Sequence, residues 1–121
     1  MRLVAVGILV GILCALLLIG YTEEADGRSE AQAVSSWYGP GLYGNRTADG
    51  TVLTPRTWGV AHKTLPLGAI VRVCRTRCVL VRVIDRGPFV RGRDFDLTYA
   101  AARVAGVTRC GVCRVYWTRV R

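Results

Sequence analysis

Hydrophobic and polar positions divide the 121-residue chain into two unequal parts. Residues 3–20 form an unbroken apolar run without a charge, preceded by Met1-Arg2 and followed by a polar, acidic stretch over 21–30. From residue 35 onward, short β-branched and aromatic runs alternate with Gly, Pro and Asn, the pattern of short strands joined by turns. Ser35-Ser36-Trp37-Tyr38 predicts a first strand, stopped by Gly39-Pro40-Gly41 and followed by a polar loop over 42–50. Residues 57–61 predict a second strand, and Leu65-Pro66-Leu67-Gly68 a turn. The clearest signal lies in residues 69–84. There Val71-Arg72-Val73 and Val81-Arg82-Val83 alternate on either side of Arg75-Thr76-Arg77, predicting a hairpin with one face inward. Phe95-Asp96-Leu97 predicts a further strand, then one helix with Thr98 as N-cap and Gly106 at its C′ position. Residues 112–120 predict a closing strand. The expectation is a mainly β domain, about six short strands and one short helix closed into a barrel that leaves no exposed edge.

The apolar start has the layout of a secretory signal, a basic tip and a long hydrophobic stretch, with Ala31-Gln32-Ala33 offering a small-x-small cleavage site. The run is also just long enough to cross a bilayer, so a cleaved leader and a retained N-terminal anchor both stay open. Cys14 follows Leu13, where a lipid-attachment signal needs a small residue, and reads as an apolar filler. The chain is accordingly expected to comprise a leader or anchor with a short linker over 1–33, and one barrel domain over 34–121. That domain lies outside the cytoplasm, either free or held at the outer face of the membrane. Membrane contact is expected only through the N-terminal segment.

Setting residues 1–33 aside leaves 15 basic and 4 acidic residues, a net charge of +11 over 88 positions. Such a field attracts polyanions. For an exported domain these are wall polymers rather than nucleic acid. Of the 17 basic residues 16 are arginine, so arginine-rich codon usage is an alternative source of the charge. The four cysteines of the domain stand as Cys74-x3-Cys78 and Cys110-x2-Cys113. An even count in a small exported domain reads as two disulfides, with a four-thiolate zinc site as the rival. Cys74 and Cys78 flank the hairpin tip symmetrically, which brings their Cβ atoms within bonding reach. No cofactor or bound metal is expected, and the domain is expected to be a monomer.

Four segments carry a resemblance: Ser36-Trp37-Tyr38-Gly39-Pro40-Gly41, Ala61-His62-Lys63-Thr64-Leu65-Pro66-Leu67-Gly68, Asp85-Arg86-Gly87-Pro88-Phe89-Val90, and Gly92-Arg93-Asp94-Phe95-Asp96-Leu97 before an alanine-rich helix. In order and spacing they resemble the double-psi β-barrel domain of the rare lipoprotein A family. That resemblance implies six strands with two interlocked psi loops, and lytic transglycosylase action on peptidoglycan strands lacking stem peptides. Expansins, which loosen walls without hydrolysis, share the barrel. One position departs from the family: Thr47-Ala48-Asp49-Gly50 is followed by Thr51, where catalytic members commonly carry Glu. A non-catalytic, expansin-like wall-binding module is therefore the alternative reading.

A lytic transglycosylase can work with one carboxyl group, whereas hydrolysis normally uses two at a set separation. The domain offers Asp49, Asp85, Asp94 and Asp96. Asp49 precedes Gly50 in a turn, and Asp94 and Asp96 lie near the helix start, where a carboxylate serves structure. Asp85 ends an apolar strand before a Gly-Pro turn and is the expected general acid. The resemblance places His62 beside it as a partner. Trp37, Tyr38 and Tyr43 are candidate sugar-stacking residues, and Lys63 and Arg86 would meet anionic groups of muramic acid.

Overall fold

A computed structural model describes residues 30–121. The apolar run of residues 3–20, and with it the choice between leader and anchor, lies outside the described residues. Six strands close into a barrel: β1 (Ala31–Tyr38), β2 (Val60–His62), β3 (Ile70–Cys74), β4 (Cys78–Asp85), β5 (Phe95–Thr98) and β6 (Cys113–Arg119). Their order around the barrel is β1-β5-β2-β4-β3-β6. The pairs β1/β5 and β2/β4 are parallel and the other four antiparallel. The long connections over residues 39–59 and 86–94 join β1 to β2 and β4 to β5, strands that are not neighbours in the barrel.

Alternation along each strand builds the core. Val60, Val71, Val73, Val81, Val83, Phe95, Leu97 and Val115 are all at or below 1% exposure and face one another inside the barrel. The arginines between them, Arg72 and Arg82, point to solvent. The hairpin is registered as the alternation requires, with Val73 opposite Val79 and Cys74 opposite Cys78. Disulfides join Cys74 to Cys78 and Cys110 to Cys113.

Three features differ from the sequence reading. First, β1 begins at Ala31, so Ala31 to Ala33, read as the end of the leader, lie in the strand and pair with Trp117, Tyr116 and Val115. Their partners are distant in sequence and leave no local mark. Second, β2 starts later than expected, at Val60; Gly59 before it is pressed under Ile84, where a Cβ would sit 2.6 Å from the Ile84 Cδ1 atom. Third, there are two short helices rather than one, α1 (Tyr99–Ala105) and α2 (Val107–Cys110). α1 buries Ala101, Ala102 and Ala105 against the barrel. Its last turn closes on Gly106, at φ +86°, whose N–H donates to Ala102 O. The Thr98 hydroxyl does not cap α1; it accepts the Gly59 N–H at 3.1 Å and ties β5 to the approach to β2.

Candidate active site

The site is built on the short strand β2. Ala61 pairs with Asp85 of β4 on one side and with Asp96 of β5 on the other. Lateral neighbours in a sheet project to the same face, so both carboxyl groups stand on the outer face, flanking a side chain too small to screen them. Two strand spacings set their α-carbons roughly 9.5 Å apart. Asp85 reaches this face through a bulge: Val60 pairs with Val83 but Ala61 with Asp85, leaving Ile84 as the extra residue. An uninterrupted register would turn Asp85 inward, and re-aiming a side chain is what a bulge does.

The Asp85 Oδ1 atom accepts two backbone N–H groups, from Ala48 and Arg86, each at 2.9 Å. The carboxylate is thereby fixed to both the 47–51 loop and its own turn. Asp96 is held differently. It is half-buried and accepts a single hydrogen bond from the Ser36 hydroxyl at 3.0 Å, its lateral neighbour on β1. Burial dominates its ionisation and pushes its pKa up to about 6, with the negative charge of Asp85 acting in the same direction against Ser36 and Arg93. Tyr38, two residues beyond Ser36 on the same face, points its hydroxyl into this pair. The oxygen is buried and closes no hydrogen bond among the described residues. Burial raises the Tyr38 pKa, followed by the charges of Asp85, Asp96 and Asp49, so the phenol stays protonated and available as a donor.

His62 follows Ala61 and therefore faces the other way. Its ring lies 4.9 Å from the Phe95 ring and 6.4 Å from that of Trp117. The Nδ1 atom accepts the N–H groups of Thr64 and Leu65 at 3.1 and 3.0 Å, closing the turn after β2. Burial lowers its pKa, offset in part by Asp94 and reinforced by Arg86 and Lys63, so the imidazole is neutral at neutral pH. No hydrogen bond joins it to Asp85 among the described residues.

The remaining expected site residues are distributed more widely. The Arg86 guanidinium donates to His62 O and Leu65 O, at 3.1 and 2.6 Å, clamping the same turn instead of facing solvent. Lys63 Nζ donates to Arg93 O at 2.8 Å and links that turn to the 86–94 connection. Trp37 packs on the core and against Tyr99, with ring centroids 5.5 Å apart. Tyr43 folds back over Gly39, where an added Cβ would lie 2.6 Å from its hydroxyl and displace the ring. Asp49 forms the turn expected of it: Oδ1 accepts the Thr47 hydroxyl and the Thr51 N–H. Burial raises its pKa, but these hydrogen bonds and nearby Arg82 outweigh burial and hold it below the usual carboxylate range. Two residues were not given a site role by the sequence reading. Asp96 is one, although the Phe95-Asp96-Leu97 alternation places it opposite two core residues. Phe89 is the other, an aromatic ring 84% exposed at the tip of the turn after Asp85.

The family model described as lytic transglycolase matches residues 30–117, the whole barrel but its last residues. The chain belongs to the lytic transglycolase family of double-psi β-barrels. Within this family, the probable endolytic peptidoglycan transglycosylase RlpA of Synechocystis is 46% identical over 85 residues, covering 68% of this chain and 26% of the relative. The endolytic peptidoglycan transglycosylase RlpA of Vibrio cholerae is 43% identical over 99 residues, covering 79% and 35%. The chain thus spans about a quarter to a third of the length of the curated relatives it matches. Among solved structures, an expansin of Clavibacter michiganensis superposes with a TM-score of 0.61 at 20% identity, over 77% of this chain and 51% of that one. The Streptomyces papain inhibitor superposes with a TM-score of 0.57 at 27% identity, over 77% and 96%.

Proposed function

We propose that this chain is an exported lytic transglycosylase that cleaves peptidoglycan glycan strands, with Asp96 and Asp85 as its catalytic carboxyl groups. One observation carries the reading: two carboxyl groups flank Ala61 on the outer face of a family barrel, and burial raises the pKa of one of them, Asp96, to about 6. A general acid must be protonated near working pH. The sequence reading put the proton on Asp85; the geometry supports dividing the work.

Protonated Asp96 gives its proton to the glycosidic oxygen as the bond from muramic acid C1 breaks. The C6 hydroxyl oxygen of the same sugar bonds to C1, and its proton passes to the Asp85 carboxylate. The products are a free hydroxyl on the departing sugar and a 1,6-anhydro ring, with no water consumed. The Tyr38 hydroxyl, within the electrostatic reach of Asp85 and Asp96, serves as a donor to the developing charge. His62 acts as a positioning residue: with Arg86 it holds the turn that fixes the Asp85 backbone. Lys63 and Phe89, at the rim, would meet the sugar strand. Asp96→Asn and Asp85→Asn each lower glycan cleavage by about 10²-fold or more, the usual scale for general acid–base catalysis. His62→Ala costs less and acts through kcat rather than KM. Full cleavage by the Asp96→Asn protein would remove Asp96 from the mechanism.

The apolar run of residues 3–20, ahead of the barrel, supplies the export signal or anchor, and the arginine-rich surface adds affinity for anionic wall polymers. Thr51 favours a second reading, wall binding without cleavage, because it leaves position 51 without the family carboxylate.

A further inference from the structure

We infer that the groove along the outer face of β4, between Trp58 and Arg82, is a saccharide subsite for an acid-bearing sugar of the strand. The inference rests on the glycan-directed reading above and extends it to a part of the molecule that reading does not use. The groove has a volume of about 570 Å³ and is open to solvent, with Asp49, Thr51, Trp58, Leu80, Arg82 and Ile84 among its walls. One end is the 47–51 loop. That loop donates Ala48 N–H to Asp85 and Asp49 N–H to Ile84 O, so one loop serves both the groove and Asp85. From Ile84 back to Leu80 it follows the strand for roughly 13 Å.

Three properties point to a sugar. Trp58 is 44% exposed, and its Nε1–H donates to Leu80 O at 2.8 Å. The polar edge of the indole is thus satisfied and its orientation pinned, while ring surface is left to solvent. A fixed, wet aromatic face suits the C–H face of a pyranose, whose hydrogens meet the negative face of the ring. β4 is paired on both sides, by β2 and β3, so no strand edge is free for a peptide to extend the sheet. Charge then selects the kind of sugar. Arg82 is exposed and close enough to lower the Asp49 pKa, yet it closes no ion pair among the described residues. Its planar fork matches a carboxylate in two-point geometry. Thr51, also in the groove, adds no negative charge beside Asp49, whereas a glutamate there would repel an acidic sugar. Muramic acid carries its carboxylate on a lactyl ether, so it is the ring expected over Trp58.

The test uses the full chain carrying Asp96→Asn, to prevent turnover. It is titrated by amide-resolved NMR with a peptide-free oligosaccharide alternating N-acetylglucosamine and N-acetylmuramic acid, and in parallel with an uncharged chitooligosaccharide of equal length. Shifts of the Trp58 indole N–H and of the Leu80 and Arg82 amides are expected with the acidic ligand. Trp58→Ala should weaken both ligands by roughly tenfold, with Trp58→Phe recovering part of the loss. Arg82→Ala should abolish the preference for the acidic ligand while leaving chitooligosaccharide affinity unchanged. Binding whose shifts stay around Asp85 and Tyr38, indifferent to both substitutions, would overturn the subsite and leave the glycan reading standing. Equal affinity of the parent for the two ligands would overturn the acidic-sugar assignment. No binding of either ligand would overturn the subsite and the glycan reading together. Should Trp58→Ala fail to fold, the shifts in the parent and the Arg82 variant decide the matter.

Discussion

Asp96 shows how far a single side chain can be read from sequence. The Phe-Asp-Leu alternation puts it on the face opposite two core residues, but near a helix start the ordinary role of a carboxylate is structural. What changes its chemistry is burial between β1 and β2, which no local pattern encodes. The same burial predicts a sign for stability. Its unfolded pKa is 3.8 and its folded pKa about 6, so the folded chain holds a proton that the unfolded chain releases in between. This contribution is complete below about pH 4 and is lost as pH rises through 6. Asp96→Asn, which keeps an acceptor for Ser36, should therefore raise the melting temperature at pH 7 more than at pH 4. The gain is on the order of 3 kcal/mol, since a pKa unit corresponds to about 1.4. Loss of stability at pH 7, the result expected of a residue serving the helix start, would show that burial does not govern this carboxyl. For catalysis the same proton implies activity that declines above about pH 6.

At the level of elements, local order and long-range pairing were unequally legible. The β3–β4 hairpin and its disulfide follow from alternation about a symmetric tip. The end of α1 follows from Gly106, whose left-handed φ of +86° an alanine adopts poorly, and whose Cβ would also collide with Thr76. Gly106→Ala is expected to cost about 1–2 kcal/mol, measurable by thermal or urea denaturation. The bulge at Ile84 and the extension of β1 to Ala31 were not legible, because each depends on a partner strand far away in sequence. α2 was missed because four residues after a glycine show no periodicity. Since Ala31 to Ala33 pair with β6 and Ala33 is buried, a chain beginning at Val34 should be less stable than one beginning at Glu30. Losing even two ladder hydrogen bonds costs about 1–3 kcal/mol. Equal melting temperatures would show that this end of β1 is dispensable, as cleavage after Ala33 would require.

The whole molecule joins a closed, edgeless barrel to a strongly basic surface. Closure was legible from the number and spacing of short strands, whereas the face that gathers the two carboxyl groups depended on which strands became neighbours. Arg72 pairs with Glu30 at 2.9 Å, while the 15 basic residues beyond position 33 far outnumber the 4 acidic ones. Most of the positive field is left facing solvent, and exposed charges are screened beyond about 8–10 Å at physiological ionic strength. Cosedimentation with purified wall should fall steeply with added salt; salt-independent binding would assign affinity to the aromatic rings instead. The decisive observation is product identity. Wild-type protein incubated with peptide-free glycan strands should release fragments ending in 1,6-anhydromuramic acid, detected by mass spectrometry as a mass one water below that of a hydrolytic end. Hydrated ends alone would contradict the transglycosylase reading, and intact strands after prolonged incubation would contradict cleavage altogether.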